Sequence, residues 1–234
     1  MITLGIDTSG PAAGAALTKD GRLLAETTCR LGLTHSQTIM PIIEGLFDLA
    51  HIQARDVGLI ACVAGPGSFT GVRLGVCAAK GIALATGAKC ARINALETLA
   101  AGCFGFDVVI CPILDARRGQ VYGAAFRYAR GDRPERIRDD AALALSDYLN
   151  ALPDGEKCLF TGDGLAAHRA SIEAQWGDRA LFMPDALATI RASFACALAE
   201  NAPDEWMEGD ALTPIYLRAP QAERERAARG ETNV

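Results

Sequence analysis

Short apolar runs alternate with longer ones along this chain, and most of the changes coincide with glycine, proline or aspartate. The run at 59–64 is short and bounded by turn residues, which predicts a buried strand. The longer apolar segment at 72–86 predicts a helix. Between them lies a glycine-rich turn in which Ser68 is suited to cap the helix. The pattern therefore predicts a strand, a glycine turn and a helix in succession, and such a turn is a candidate phosphate cradle.

Ahead of this unit, the pattern predicts a three-stranded antiparallel meander at 2–6, 12–18 and 22–29. Asp20-Gly21 supplies the positive φ angles of a tight hairpin between the last two strands.

A helix follows the meander, with Thr34 or Ser36 as its cap and a bend expected at Pro41. Its apolar positions cover more than one face, so either it is well buried or its second face receives a partner. A short strand at 91–93 and a helix at 95–103 complete this half.

Near residue 104 the pattern starts again. A strand at 108–114 ends at Asp115, a second strand covers 120–128, and 158–164 repeats the strand and glycine turn of 63–67. These similarities predict a duplicated α/β unit with an N-terminal subdomain at 1–103 and a C-terminal one at 104–218. A helix is expected at 187–200, and a mobile tail at 219–234.

Composition limits the class of protein. Half of the 234 residues are hydrophobic and 22% are charged, which is typical of a globular chain. The net charge of −5 argues against a stand-alone nucleic-acid binder. Residues 127–140 hold five arginines and four acids, and we expect a solvated hairpin there in preference to an RNA contact.

The compartment is expected to be the cytoplasm. No basic segment precedes an apolar run at the N-terminus, so no signal peptide is expected, and no apolar run is expected to reach the length of a bilayer. The eight cysteines are dispersed without a Cys-x-x-Cys pair, which is typical of reduced core thiols.

The glycine turn does not match the standard nucleotide motifs. It lacks the lysine of a P-loop, and Thr70 stands where the dinucleotide pattern requires its third glycine. A weak anion or nucleotide site is the remaining hypothesis, and acids at strand ends could hold Mg²⁺ or simply form turns. Its residues would be Asp7, Gly65, Gly67, Ser68 and Asp115.

Other chemistry is not indicated by the sequence. His35, His51 and His168 are far apart and form no metal-binding pair. Ser68 has no evident histidine and aspartate partners, which disfavours a serine hydrolase. We expect no catalytic residue, no metal and no cofactor.

The helix after the glycine turn carries a stripe of small residues. Gly71, Gly75 and Ala79 are spaced by four, although each glycine costs about 1 kcal/mol inside a helix. Two explanations stay open: close packing on the chain's own sheet, or a helix–helix contact with another subunit.

Five segments, in order along almost the whole chain, resemble the bacterial TsaB (YeaZ) family. They are Ile6–Ser9, His35-Ser36 with Pro41, Gly65–Gly75, Leu114–Arg117 and Pro214–Arg218. The resemblance implies an α/β chain with a duplicated actin-like (ASKHA, RNase H-like) fold: two mixed-sheet subdomains with flanking helices. It also implies membership of the complex that makes N6-threonylcarbamoyladenosine on tRNA.

In that family TsaB is the non-catalytic partner of its paralogue TsaD, and TsaE is a further, ATP-hydrolysing partner. The resemblance implies a heterodimer with TsaD, a homodimer when the chain is alone, contact with tRNA only through the complex, and no membrane. TsaD-like chains have a histidine pair after the strand that ends here at Ile93, whereas 94–97 is Asn-Ala-Leu-Glu.

The family's dimer surface lies on the first two helices. Carried over, the interface is His35, Met40, Ile43, Phe47, Phe69, Val72, Gly75, Cys77 and Ala79.

Two other classes stay open. One is a small actin-like ATPase or phosphotransferase that uses Asp7, Asp115 and Gly65–Gly67. The weaker alternative is a peptidase-like hydrolase, which is disfavoured because the sequence shows no catalytic triad.

Overall fold

The structure is a computed structural model that describes residues 1–129, 131 and 133–218, so the expected tail lies outside the described residues. The first-half elements are β1 (Ile2–Asp7), β2 (Ala13–Lys19), β3 (Arg22–Cys29), α1 (His35–Ala50), β4 (Val57–Val63), α2 (Phe69–Thr86), β5 (Lys89–Ile93) and α3 (Ala95–Ala101). The second-half elements are β6 (Val109–Asp115), β7 (Gln120–Arg127), β8 (Glu135–Ala144), α4 (Leu145–Asn150), β9 (Cys158–Thr161), α5 (Leu165–Trp176), β10 (Ala180–Phe182) and α6 (Ala192–Glu200).

The two halves have the same sheet topology. The first sheet has the order β3-β2-β1-β4-β5 and the second the order β8-β7-β6-β9-β10. In each, a three-stranded antiparallel meander is extended by two parallel strands: β1 pairs antiparallel with β2 and parallel with β4, and β6 does the same with β7 and β9. The predicted duplicated fold of two mixed sheets with flanking helices is confirmed.

The first sheet is covered on both faces. In β4, Ile60 and Cys62 face the apolar cluster beneath α1 and α2, while Leu59 and Ala61 face the other core, which extends to the second sheet. The alternation follows from the two-residue period of a strand. Consequently α1 and α2 lie on the outer side of the first half, and one of their faces is left to solvent.

Two helices pack on the sheet of the opposite half. α3 follows β5 in sequence but contacts β6 and β7, whereas α6 contacts β1, β2 and β4 of the first sheet. Gly5 on β1 permits this approach, because a Cβ there would overlap the Ala192 carbonyl. The two sheets are therefore not packed independently, since each carries a helix from the other half of the sequence.

An ion pair with a buried carboxylate joins the start of α6 to the first sheet. Glu26 on β3 is nearly inaccessible and accepts hydrogen bonds from the Arg191 guanidinium. It also accepts the Ser193 N–H at 3.0 Å and the Ser193 hydroxyl at 2.9 Å.

After α6, the chain returns to the first half, where Met207 and Cys90 exchange two backbone hydrogen bonds of 2.8 Å.

Local predictions fared unevenly. Thr34 is the cap of α1, Ser68 caps α2 by accepting the Gly71 N–H, and Asp20-Gly21 has the expected positive φ angles. The helix expected at 187–200 begins only at Ala192, because Arg191 is extended where it binds Glu26. All eight cysteines are free, and six are buried.

α2 corrects the expectation that no apolar run is long enough to cross a bilayer. With 18 residues, it is the one helix in the described part whose length and composition would suffice. About a third of the helix is buried, Val72 and Ala79 among its buried residues, and this side packs on the first sheet. The length and composition of α2 are therefore only weak evidence for a membrane span.

Candidate functional site

A cleft of about 750 Å³ opens between the two halves where β1 and β6 end. The first half contributes the β1–β2 turn and the start of α2, and the second half contributes the β6–β7 and β9–α5 turns. The chain segment 215–218 also lines it. Three of the five residues predicted for a weak anion site, Gly67, Ser68 and Asp115, line this cleft.

Asp7 and Asp115 occupy the same position in their halves and make the same turn. Asp7 Oδ1 accepts the Ser9 N–H at 2.9 Å, and Asp115 Oδ1 accepts the Arg117 N–H at 2.7 Å. An aspartate that bonds its own backbone two residues on stabilises a tight turn. The turn-forming interpretation of both acids is therefore present in the structure.

The carboxyl group of Asp7 is buried. Its burial raises the pKa to about 6, although the Ser9 hydroxyl and N–H stabilise the charged form. Asp163, in the β9–α5 turn of the other half, has its pKa raised by burial as well, while its Oδ1 accepts the Asp115 N–H at 3.0 Å. The two carboxyl groups interact unfavourably across the floor of the cleft.

The glycines at the start of α2 pack against the β1–β2 turn of the same chain. A Cβ at Gly71 would overlap the Thr8 carbonyl, and one at Gly75 would lie 2.6 Å from Thr8 Oγ1. That hydroxyl in turn donates a 2.7 Å hydrogen bond to the Gly71 carbonyl. Of the two explanations for the small-residue stripe, close packing on the chain's own sheet is the observed one.

The glycine turn before α2 is occupied by protein backbone. A Cβ at Gly65 would lie 2.5 Å from the Ile215 carbonyl, and one at Gly67 would overlap the Ser9 carbonyl. The Ser68 N–H, which a phosphate would need, already donates to Ser9 at 2.7 Å. Although Gly67 and Ser68 line the cleft, these contacts disfavour the predicted anion site at this turn, and Asp7 lies buried behind it.

Four predicted interface residues cannot touch a partner directly. Ile43, Val72, Gly75 and Ala79 are buried on the faces of α1 and α2 that pack on the first sheet. The resemblance places the dimer surface on these two helices without specifying a face, and these four residues lie on the inner face of each helix. Met40 and Cys77 are exposed, while His35, Phe47 and Phe69 are half-buried, and those five stay predictions.

His35 also has a role within the chain. Its Nε2 lies 2.8 Å from the Gly10 carbonyl, a hydrogen bond that ties the start of α1 to the β1–β2 turn.

The two most specific sequence segments, Gly65–Gly75 and Pro214–Arg218, meet at the mouth of the cleft. Phe69 and Tyr216 stack at 5.2 Å, and Arg73 lies over the Phe69 ring while its Nε donates to the Tyr216 hydroxyl at 2.7 Å. Sequence reasoning named Phe69 but missed Arg73 and Tyr216 as its contacts, because 143 residues separate the last two.

The last segment also reaches the second half. The Ile215 N–H donates to the Ala64 carbonyl at 2.7 Å, and Arg218 donates to the Ala116 carbonyl at 3.1 Å. It therefore bridges the two sides of the cleft.

Arg117 and Arg118 form the tip of the β6–β7 turn with φ angles of 65° and 55°. A residue other than glycine in this region costs roughly 1–2 kcal/mol. The Asp115 carboxylate holds the first of them, and the Gln120 N–H donates to the Arg117 carbonyl at 3.1 Å. This turn therefore presents two exposed guanidinium groups on a fixed backbone. The sequence had given no signal for its conformation.

Residues 94–97, where TsaD-like chains were noted to have histidines, take part in a polar network. Asn94 caps α3 by accepting two backbone N–H groups, and Glu97 pairs with Arg133 and Arg136. Arg136 also pairs with Asp140, so acids neutralise much of the arginine-rich stretch. Within the described ranges, His, Cys, Asp and Glu form no group of three that could hold a metal.

Comparison with protein families gives one match that covers most of the chain. A family model described as "TsaD: tRNA N6-adenosine threonylcarbamoyltransferase" matches residues 31–223. A Bacillus subtilis relative, "tRNA threonylcarbamoyladenosine biosynthesis protein TsaB", is 35% identical over 95% of this chain and 96% of its own. The Escherichia coli protein of the same name is 35% identical over 54% of this chain and 55% of its own.

Solved structures show the same fold. "YeaZ from Pseudomonas aeruginosa" superposes with a TM-score of 0.78, at 24% identity, over 92% of this chain and 99% of that one. Component A of the (R)-2-hydroxyglutaryl-CoA dehydratase of Acidaminococcus fermentans superposes with a TM-score of 0.52, at 14% identity, over 87% of this chain and 99% of its own.

Proposed function

Because this chain belongs to the TsaB (YeaZ) family, we propose that it is a non-catalytic subunit of the complex that forms N6-threonylcarbamoyladenosine on tRNA. Its partner in this proposal is a TsaD-type threonylcarbamoyltransferase, which supplies the reacting groups. TsaE is a further partner, and a homodimer through the same surface forms when TsaD is absent. No cofactor is required of this chain.

The observation that carries the proposal is the apolar surface on the outer side of α1 and α2. Leu49 on α1 is 73% exposed and Leu84 on α2 is 90% exposed, and Met40 and Cys77 are exposed on the same two helices. Exposed Gly45 and Gly81 have open space above their Cα atoms. An apolar helical surface with small residues fits the approach of helices from another protein.

An apolar groove extends this surface. It has a volume of about 420 Å³ and runs between α1 and the last residues of the edge strand β3. Leu31, Pro41 and Leu49 line it. We call α1, α2 and this groove the outer helical surface.

The polar network at 94–97 supports the non-catalytic part of the proposal. Glu97 is held by Arg133 and Arg136, and the Asn94 side chain accepts the N–H groups of Leu96 and Glu97. Both side chains therefore stabilise the chain's own structure at the place where TsaD-like chains have a histidine pair.

The test replaces exposed leucines of the outer helical surface. Leu84→Glu and Leu49→Glu place a charge where the partner helices would pack, so we expect loss of co-elution with TsaD in size-exclusion chromatography. Leu187→Glu is the matched control, since Leu187 is 57% exposed outside this surface and should leave the complex intact. Co-elution of Leu84→Glu and Leu49→Glu at the wild-type level would contradict the interface.

Reconstitution tests the function itself. TsaD and TsaE, supplied with tRNA, ATP and a threonylcarbamoyl donor, should form the modified base only when this chain is added, and equal product without it would overturn the subunit role. The actin-like ATPase alternative predicts micromolar binding of ATP with Mg²⁺ and turnover by the isolated chain, which calorimetry would detect.

A further inference from the structure

The mouth of the cleft is a positive region of an acidic chain. Among the residues that the structure describes, its lining holds four arginines, Arg30, Arg117, Arg118 and Arg218, with two aspartates and no lysine. The lining therefore carries a charge of +2, and with the whole chain at −5 the remainder carries −7. Such a contrast directs a polyanion to this opening and repels it elsewhere.

Two of these arginines are available to a ligand. Arg118 is exposed and makes no ion pair or hydrogen bond through its side chain with any residue from 1–129, 131 or 133–218. Arg117 is 87% exposed at its side chain and reaches Asp115 only at 3.6 Å. Because their backbone is fixed by the turn, only their side chains lose conformational freedom when they bind phosphate.

Aromatic rings stand beside the arginines. Tyr216 is 42% exposed and stacks on Phe69. The Arg218 guanidinium lies over the Tyr122 ring, 5.9 Å from its centroid. All four residues line the cleft. Arginines that follow a backbone, combined with exposed rings on which bases stack, are the usual means of holding a single strand.

We propose that the mouth of this cleft binds single-stranded RNA, with Arg117 and Arg118 on its phosphates and Tyr216 against a base. The proposal rests on the proposed function, since that function brings tRNA to the complex. It replaces the expectation that tRNA is reached only through the partner with a direct contact by this chain.

An RNA strand suits the site better than a free nucleotide. The available guanidinium groups lie exposed at the rim, whereas the floor of the cleft holds the Asp163 carboxyl group and the packed glycine turn. A phosphate tail at the floor would meet like charge, but a strand that passes over the mouth meets the arginines and the rings.

The test measures fluorescence anisotropy of the full chain with a labelled single-stranded RNA of about 12 nucleotides, within the usual site size. The double variant Arg117→Asn and Arg118→Asn removes both charges and retains a residue that tolerates positive φ. We expect binding to weaken at least about fivefold at ~50 mM salt, and the slope of log K against log salt to fall by roughly 1.4, or 0.7 for each lost phosphate contact.

Two controls fix the interpretation. Arg117→Lys with Arg118→Lys keeps the charges and should retain most of the affinity, and Arg55→Asn removes an exposed arginine before β4, at the other end of the sheet. Equal binding by wild type and the double Asn variant would overturn the proposal. Full displacement of the RNA by ATP alone would also overturn it, in favour of a nucleotide pocket.

The complex distinguishes this proposal from the subunit role. The double Asn variant should co-elute with TsaD as the wild type does, because the turn lies outside the outer helical surface. In reconstituted modification it should raise KM for tRNA and leave kcat unchanged. Failure of the subunit role would abolish co-elution of the wild-type chain, whereas failure of RNA binding would leave co-elution intact and KM unaltered.

Discussion

The β1–β2 and β6–β7 turns begin with the same hydrogen bond, but they differ in burial and in the residues that pack around them. Asp7 is 2% exposed, and α2 packs on Thr8 of its turn through Gly71 and Gly75. Asp115 is half-buried, and its turn ends in two exposed arginines. The two halves therefore share the same hydrogen-bonded turn, and the residues around each turn give it a different environment.

The difference shows where the chain is available for binding. In the first half α2 packs closely on the turn, and the exposed surface that this half offers is the outer side of its helices. In the second half Ala166 and Ala167 at the start of α5 are exposed, and the arginines of the turn are accessible. A partner protein and a polyanion would therefore approach different sides of the molecule.

The strongest way to break this contrast is to force α2 away from the β1–β2 turn. Gly71→Ala places a methyl group against the Thr8 carbonyl and should lower the free energy of unfolding by more than about 3 kcal/mol, at the upper end of overpacking effects. Urea denaturation measures the loss.

The control for this substitution lies on the same helix. Gly81 has open space above its Cα atom, so Gly81→Ala should raise the free energy of unfolding by up to about 1 kcal/mol through helix propensity. A stable Gly71→Ala chain would show that α2 does not need this close approach.

Gly75 packs on the same turn, so a larger residue there would disturb the fold. A substitution at Gly75 is therefore unsuited to testing the partner interface.

A second test concerns the burial of Asp7. The folded chain keeps a proton on this carboxyl up to about pH 6, whereas the unfolded chain releases it near the ordinary value of 3.8. Stability contributed by the neutral form is therefore lost as pH rises from about 4 to 6. At about 1.4 kcal/mol for each pKa unit, the loss amounts to at most roughly 3 kcal/mol.

Asp7→Asn should remove this loss and raise stability above pH 6, since its amide oxygen can still accept the Ser9 N–H. The matched substitution Asp115→Asn retains the same turn at a more accessible site and should change stability at neutral pH far less. Denaturation of each variant at several pH values provides the comparison, and a lower stability of Asp7→Asn at neutral pH would contradict the assignment.

The smallest effect is expected at the tip of the β6–β7 turn. Arg118→Gly relieves a positive φ angle and should raise the free energy of unfolding by about 0.5–1 kcal/mol. Arg169→Gly in the middle of α5 should lower it by about 1 kcal/mol, because the backbone there is helical. A loss of stability in Arg118→Gly would mean that the guanidinium group stabilises the turn more than its backbone strains it.

Much of the fold could be predicted, because it depends on local patterns. The meander of the first half, the cap at Ser68 and the restart near residue 104 follow from periodicity and turn residues. The exchange of α3 and α6 between the sheets could not be predicted, since it depends on contacts such as Glu26 with Arg191, which are 165 residues apart. The late start of α6 has the same cause.

The candidate site was predicted less well. Glycines at a helix start permit close approach, but their spacing does not say whether the approaching atoms belong to phosphate, to a partner or to Thr8 of the same chain. Likewise, the resemblance placed the dimer surface on α1 and α2 without indicating which face of each helix it uses, so buried Val72 and Ala79 were included in the predicted interface. The charges of Arg117 and Arg118 could be read from the sequence. Their left-handed backbone could not, because it depends on the hydrogen bond that Asp115 makes within the turn.

The crossing of α6 onto the first sheet bears on how this chain folds as it leaves the ribosome. Synthesis delivers the first half early, yet the inner face of its sheet stays without Ala195 and Cys196 until residue 200 has emerged. The edge of β5 likewise waits for Met207. In the nascent chain, the inner face of the first sheet therefore stays incomplete while residues 94–200 are synthesised.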